Sequence, residues 1–378
     1  MHSLNIQYNP RIDQLRWLAA TLVFLFHFHL EYRGLGAAGL SNPWWALVTE
    51  GHTGVGLFFT LSGFLFMQIA LHQGQIVYRD FLRNRLLRIL PLYLVIFLLA
   101  TSIGRDKFAP QDLLYLFASN LGLAPTSGTV ITGAAWTISL EFMFYLVFPF
   151  LARFTMERGM LYLGGWLVLM AFFKLAAYTV NPNSTLMYFS TWVGRFDQFL
   201  IGMLAAMLYA RWRAPLARYA PLLLLASVAL VMWDTAWMQR VAPFGASPKS
   251  SFWIFWSMLE SAGWAALILA WISFQPRLPG MIERALSQGG KISFSFYLLH
   301  MALLHVVATR IGLVSPTGTP WLDAGIMLAA TYGATWALST LCYHIVEEPF
   351  LRMRRSYGAA QEVSAPEKSR VSVHKRNF

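Results

Sequence analysis

Ten mostly apolar stretches of about 15–24 residues recur along the chain, at 15–30, 54–72, 87–104, 136–152, 160–178, 196–210, 219–237, 251–273, 292–309 and 322–345. A hydrocarbon core roughly 30 Å thick is crossed by about 20 residues of helix. Lipid offers no partner to an unpaired peptide group, so runs of this kind are predicted to be helices that satisfy their own backbones. The predicted fold class is an all-α polytopic membrane protein with about ten transmembrane helices. A further apolar segment, 111–123, is too short to span and is predicted to be re-entrant or interfacial.

Composition excludes the soluble alternatives. The chain is 57% hydrophobic and 12% charged, against about 25% charged in soluble domains. Its 15 Trp and 15 Tyr suit aromatic belts at the ends of many helices. The net charge of +12 is not a nucleic-acid signature, because the basic residues lie between the apolar runs. Cys342 is the single cysteine, so no internal disulfide forms. His and Cys are too scattered to offer metal-ligand spacing, and no metal is expected.

The basic residues also orient the chain. With the N-terminus in the cytoplasm, that side collects Arg11, Arg16, Arg79, Arg83, Arg85, Arg88, Arg153, Arg158, Arg211, Arg213, Arg218, Arg277, Arg284, Lys291 and the seven bases from Arg352 onward; eight remain elsewhere. The bias predicts N-in and C-in with an even number of spans, in a bacterial inner membrane. A full span at 111–123 would spoil it. The first run is expected to be retained, since His27 and His29 interrupt it where a signal peptide would be uniformly apolar. Residues 1–356 are predicted to form one membrane domain, and 357–378 a basic, disordered cytoplasmic tail.

Ionisable side chains are costly in lipid, so those inside the runs are the first candidates for function. Arg16 and His27 are eleven residues apart, about three turns and roughly 16 Å along a helix, which places both on nearly one face with His27 near the midplane. An imidazole there can give or take a proton; it can equally be held by a neighbouring helix. Arg85 and Arg88 share a helix face at the inner edge, suited to phosphates or to lipid headgroups. Glu141 lies about one and a half turns inside the outer face, where it can orient a histidine, bind a sugar hydroxyl or pair with Arg195. Glu260, His300, Asp197 and Gln198 read as structural, and Lys174 as snorkelling outward.

These segments in order resemble acyltransferase family three, the membrane O-acyltransferases of bacterial surface and secreted glycans. Asp13-Gln14-Leu15-Arg16 followed by His27 is similar to the family's opening helix with its Arg-x10-His motif. Gly54-Val55-Gly56-Leu57-Phe58-Phe59 with Ser62-Gly63-Phe64 resembles its second helix, and Arg85-Leu86-Leu87-Arg88 ahead of Pro91 its Arg-x-x-Arg motif. Trp136 through Glu141 and Tyr145 resembles the Trp-Ser-Leu-x-x-Glu helix, with Thr137 and Ile138 replacing the usual serine and leucine. Ile292 through His300 and Glu347-Glu348-Pro349 resemble the closing motifs. The likeness covers roughly residues 11–352.

The resemblance implies that His27 and Arg16 are catalytic and that Arg85 and Arg88 bind an acyl-CoA co-substrate, acetyl-CoA being the family's usual donor. It implies a carbohydrate acceptor such as exopolysaccharide or lipopolysaccharide, with Glu141 seating it. The expected partners are membrane lipids, the acceptor and glycan-biosynthesis proteins, and no nucleic acid. Many relatives carry a fused extracytoplasmic hydrolase-like domain; none is expected within this chain, so a second transfer step would call on another protein. His27 acts either as general base or as a covalent acyl carrier. The competing function class is a transporter or flippase, in which the same His, Glu and Arg form a substrate or proton pathway.

Overall fold

A computed structural model describes residues 5–103, 136–180, 190–244, 250–274 and 276–357. The segment expected at 111–123 and, beyond Tyr357, the tail lie outside the described residues. The long elements are α1 (Pro10–Gly34), α3 (Thr53–Gln73), α4 (Tyr78–Ile103), α5 (Trp136–Arg158), α6 (Met160–Val180), α7 (Trp192–Arg211), α8 (Arg213–Val241), α9 (Phe252–Ser273), α10 (Gly280–Arg310) and α11 (Pro320–Cys342). Among the described residues there are also two single-turn helices, α2 (Ala46–Thr49) and α12 (Glu348–Leu351), a 3-10 turn, Pro43–Trp45, leading into α2, and a π-turn, Tyr343–Glu347, joining α11 to α12. Every one of the ten apolar runs falls on a helix, and no strand occurs among the described residues. Among the described residues, seven helices are long and apolar enough to cross a membrane: α3, α5, α6, α8, α9, α10 and α11 continued to Leu351.

Local chemistry sets the helix starts. Asn9 caps α1 by accepting from the Arg11 amide at 3.0 Å, with Pro10 in the first turn, where its missing N–H costs nothing. Thr191 caps α7 through the Gly194 amide at 3.2 Å. Pro91 and Pro149 sit inside α4 and α5.

Helix directions follow from which residues meet. Asp13 lies against Gly290, Trp17 against Phe296, and His27 against His300, so α1 and α10 run parallel. Thr60 lies against Gly202 and Gln68 against Ala206, so α3 and α7 are parallel too. Glycine makes that second contact possible: a Cβ on Gly202 would stand 2.0 Å from the Thr60 carbonyl oxygen, and one on Gly63 2.1 Å from that of Phe199. Close backbone approach of this kind is how membrane helices gain packing without a hydrophobic drive between them. α3 and α9 are central, whereas α6 and α8 present large apolar side chains such as Leu161, Phe172, Leu222 and Leu225 to the outside.

One end of the bundle gathers segments remote in sequence. The Asn84 side chain and the Arg355 backbone exchange hydrogen bonds, and the Tyr357 amide donates to Asn5 Oδ1 at 2.7 Å. Gln73 donates to the Asn5 carbonyl at 2.9 Å. The two ends of the described chain therefore lie together, beside the start of α4.

Candidate functional site

Five helices contribute to a cavity inside this end of the bundle. α1 supplies Arg16; α3 supplies Phe58, Ser62 and Phe66; α4 supplies Arg85 and Arg88; α5 supplies Thr137, Glu141 and Tyr145; α10 supplies Ser293 and Tyr297. A second chamber adjoins it, lined by Asp13, Asn84, Lys291, Arg354, Arg355 and Tyr357 among others. Arg16, Arg85 and Arg88 line both chambers and form the waist between them. Among the described residues lining the two chambers, the cations Arg16, Arg85, Arg88, Lys291, Arg354 and Arg355 meet the carboxylates Asp13 and Glu141, with the buried Glu347 near Arg88 behind the wall. The excess positive charge acts on its own members: burial, with Arg88 and Arg85 nearby, pushes Arg354 at the mouth down to about 10. An anion in the chambers would relieve it.

The two α4 arginines are held differently. Arg85 is buried and donates to the Tyr357 hydroxyl. Its guanidinium carbon lies 5.0 Å from the Phe66 ring, 5.6 Å from Tyr357, 5.8 Å from Phe81 and 5.9 Å from Tyr145. These rings offer their negative faces to the cation and fix its plane. Arg88, one turn on, has no hydrogen-bond partner among the described residues and is free to meet a ligand. Arg16 makes a 3.4 Å contact with Asp13. Glu141 accepts from Ser62 Oγ at 3.3 Å and from the Tyr145 hydroxyl at 3.0 Å.

Arg16, Arg85, Arg88 and Glu141 are thus brought together from three helices. His27 is not among the residues lining either chamber. Its Nδ1 lies 3.0 Å from the Val23 carbonyl and 3.0 Å from His300 Nε2. Tyr297 links the two places. It lines the cavity, its hydroxyl accepts from Thr137 at 3.0 Å, and its ring centroid is 5.7 Å from that of His300.

A second polar cluster lies among α6, α7 and α9. Arg195 does not pair with Glu141. It donates to Glu260 at 3.2 Å, lies 4.6 Å over the Trp256 ring and is fully buried. Lys174 does not snorkel outward: its side chain is 0% exposed and its Nζ meets Asp197 at 2.5 Å. A carboxylate within reach, itself held by Ser257 Oγ at 2.7 Å, makes pairing cheaper than stretching to the interface. Gln198 also donates to Glu260.

Sequence reasoning did not single out Lys291, Arg354, Arg355, Tyr357 or Tyr297 as cavity residues, and it read His300 as structural. The only available signal was Tyr297 and His300 sharing a helix face three residues apart. The others reach the cavity through contacts such as Asn84 with Arg355, 271 residues apart.

The acyltransferase-domain model of family three matches residues 9–340. An acyltransferase, MdmB, of Streptomyces mycarofaciens is 25% identical over 96% of this chain and 97% of its own length. A Staphylococcus aureus protein provisionally named an O-acetyltransferase is 21% identical over 91% of this chain, which spans 58% of that protein. A protein of Acidianus two-tailed virus, provisionally named an acetyltransferase, is 31% identical over 41% of this chain and 44% of its own length. No solved structure matches the chain.

Proposed function

The chain belongs to acyltransferase family three, and from that membership we propose that it transfers an acyl group from cytosolic acyl-CoA to a carbohydrate hydroxyl. The observation that carries this reading is the arginine waist. Three guanidiniums from two helices meet at the neck of a cavity whose outer chamber adds Lys291, Arg354 and Arg355. Guanidiniums bind phosphate oxygens with paired, charge-assisted hydrogen bonds, and coenzyme A carries its phosphates at the end remote from the thioester. A donor whose phosphates rest in the basic chambers directs its acyl end inward along α1, where His27 lies roughly 16 Å beyond Arg16.

In this reaction the acceptor oxygen attacks the thioester carbonyl as its proton passes to the His27 ring. The carbon–sulfur bond then breaks, and the sulfur takes a proton to leave as coenzyme A. His27 is the general base and then the general acid. Arg16, Arg85 and Arg88 hold the donor; Glu141, fixed by Ser62 and Tyr145, lines the same chamber as these arginines rather than the outer face where an acceptor would enter. The names of the relatives favour acetyl as the group moved.

The same reading takes the ten long helices as ten crossings, N-in and C-in, in a bacterial inner membrane. Parallel α1 and α10 suit first and ninth crossings, and parallel α3 and α7 suit second and sixth. The basic chambers lie at the end where Asn5 and Tyr357 meet, as a cytosolic donor requires. The extracytoplasmic side then receives the acceptor, an exopolysaccharide or lipopolysaccharide in this proposal.

Proteoliposomes supplied with labelled acetyl-CoA and a panel of glycans test the proposal. Wild-type protein should place an alkali-labile ester on one glycan, and His27→Ala should reduce transfer at least about 100-fold, the usual scale of general-base catalysis. Equal labelling by both proteins would remove His27 from the mechanism.

A further inference from the structure

The His27–His300 contact joins two neutral-capable rings through atoms whose roles can be assigned. A carbonyl oxygen only accepts, and a neutral imidazole carries one N–H. His300 Nδ1 lies 2.6 Å from the Tyr297 carbonyl, so the His300 proton sits on Nδ1. Its Nε2 is therefore a bare acceptor, 3.0 Å from His27 Nδ1. His27 Nδ1 also faces the Val23 carbonyl at 3.0 Å. Both groups that face it accept, so the His27 proton sits on Nδ1 as well. The His27 nitrogen left with its lone pair is Nε2.

We infer that His300 is a positioning residue for His27: the Val23 carbonyl keeps the His27 proton on Nδ1, and His300 fixes the ring and shares the positive charge that forms when Nε2 is protonated. The inference rests on the acyltransferase reading for its chemistry, but not for its geometry. When Nε2 takes the acceptor's proton, His27 carries an N–H on both nitrogens. The Nδ1 proton lies on the line to His300 Nε2, so the cation is spread over two rings. A carboxylate partner would be ionised in both states of the reaction, at a cost in lipid; a second imidazole is charged only while the first is. When the Nε2 proton moves on to the departing sulfur, both rings return to neutral.

The surroundings fix His300 in this place. It is 1% exposed, on α10, with its ring beside Phe24 of α1 and Tyr297. Glycine sets the approach of the two helices lower down: a Cβ on Gly290 would stand 2.2 Å from the Asp13 carbonyl oxygen. The register fixed there carries the two histidines into contact about four turns further along α1.

Two variants test the inference in the full-length protein in bilayers. His300→Leu removes the acceptor; His300→Gln restores one through its amide oxygen. The prediction is a kcat for His300→Leu lowered about 10- to 100-fold, as when a group that orients a catalytic ring is lost, with KM for acetyl-CoA unchanged and kcat at least partly recovered in His300→Gln. Nitrogen-15 histidine spectra should show His27, identified by its loss in His27→Gln, protonated on Nδ1 in wild type, with that Nδ1 resonance shifted in His300→Leu as its imidazole acceptor is lost. Equal impairment of both variants, a change confined to KM, or an unaltered His27 spectrum in His300→Leu would overturn the inference. If the wild-type protein transferred no acyl group, the proposed function would fall, and the His27 spectrum alone would decide the pairing.

Discussion

The molecule buries arginine and glutamate in two places, and it treats them in opposite ways. Among α6, α7 and α9, Arg195 meets Glu260 and Lys174 meets Asp197, with side chains 0–2% exposed. Cations and carboxylates are matched, and Gln198 and Ser257 take up further bonds. Around the waist, Arg16, Arg85 and Arg88 outnumber Asp13 and Glu141, the cavity remains open, and Arg88 has no hydrogen-bond partner among the described residues. Buried charge that is balanced and packed holds helices together. Buried charge that is unbalanced and faces space is arranged for something that arrives. Residue type alone does not separate the two; the pairing does.

The largest effect should come from the closed cluster. Arg195→Ala leaves Glu260 as an unpaired buried charge, a change that costs about 3–5 kcal/mol. Thermal unfolding in detergent should show a large loss of stability, most of it recovered by Arg195→Met combined with Glu260→Gln. A stable single variant would show that the pair does not carry the packing. Next is Arg88→Ala in the open cavity. Loss of a charge-assisted hydrogen bond of about 1.5–3 kcal/mol should raise KM for acetyl-CoA about 10- to 100-fold while the unfolding temperature stays put. A stability loss matching that of Arg195→Ala would erase the contrast between the regions. The smallest expected effect is Tyr357→Phe, which keeps the ring beside Arg85 and removes only the hydroxyl acceptor. Stability should fall by about 1 kcal/mol, and no change would mean that the ring contacts alone hold Arg85.

The helices were legible from sequence because a membrane helix is a local object. Among the described residues the ten apolar runs fall on long helices, seven of them long and apolar enough to cross a membrane, since each helix needs only its own hydrogen bonds. Arg16 and Glu141 were reached as candidates through their cost in lipid, and Arg85 and Arg88 through the Arg-x-x-Arg motif they share with acyltransferase family three. Their partners were not legible. Whether Arg195 meets Glu141 or Glu260 is decided by helix order and rotation, and the observed partner lies 65 residues away. Lys174 read as snorkelling because its carboxylate, Asp197, lies on another helix. His300 lies 273 residues from His27, and only the crossing of α1 with α10 joins them.

The bond from Arg85 to Tyr357 spans 272 positions, which ties the waist to the order of synthesis. α4 leaves the ribosome long before the residue that fixes its arginine exists. The early helices insert with Arg85 unclamped, and the clamp closes only after α11 and α12 have been made. A chain cut between the end of α11 and Tyr357 keeps its long helices yet lacks the bond that finishes the waist. Quality control that recognises loose charge in the bilayer would therefore find such fragments by Arg85.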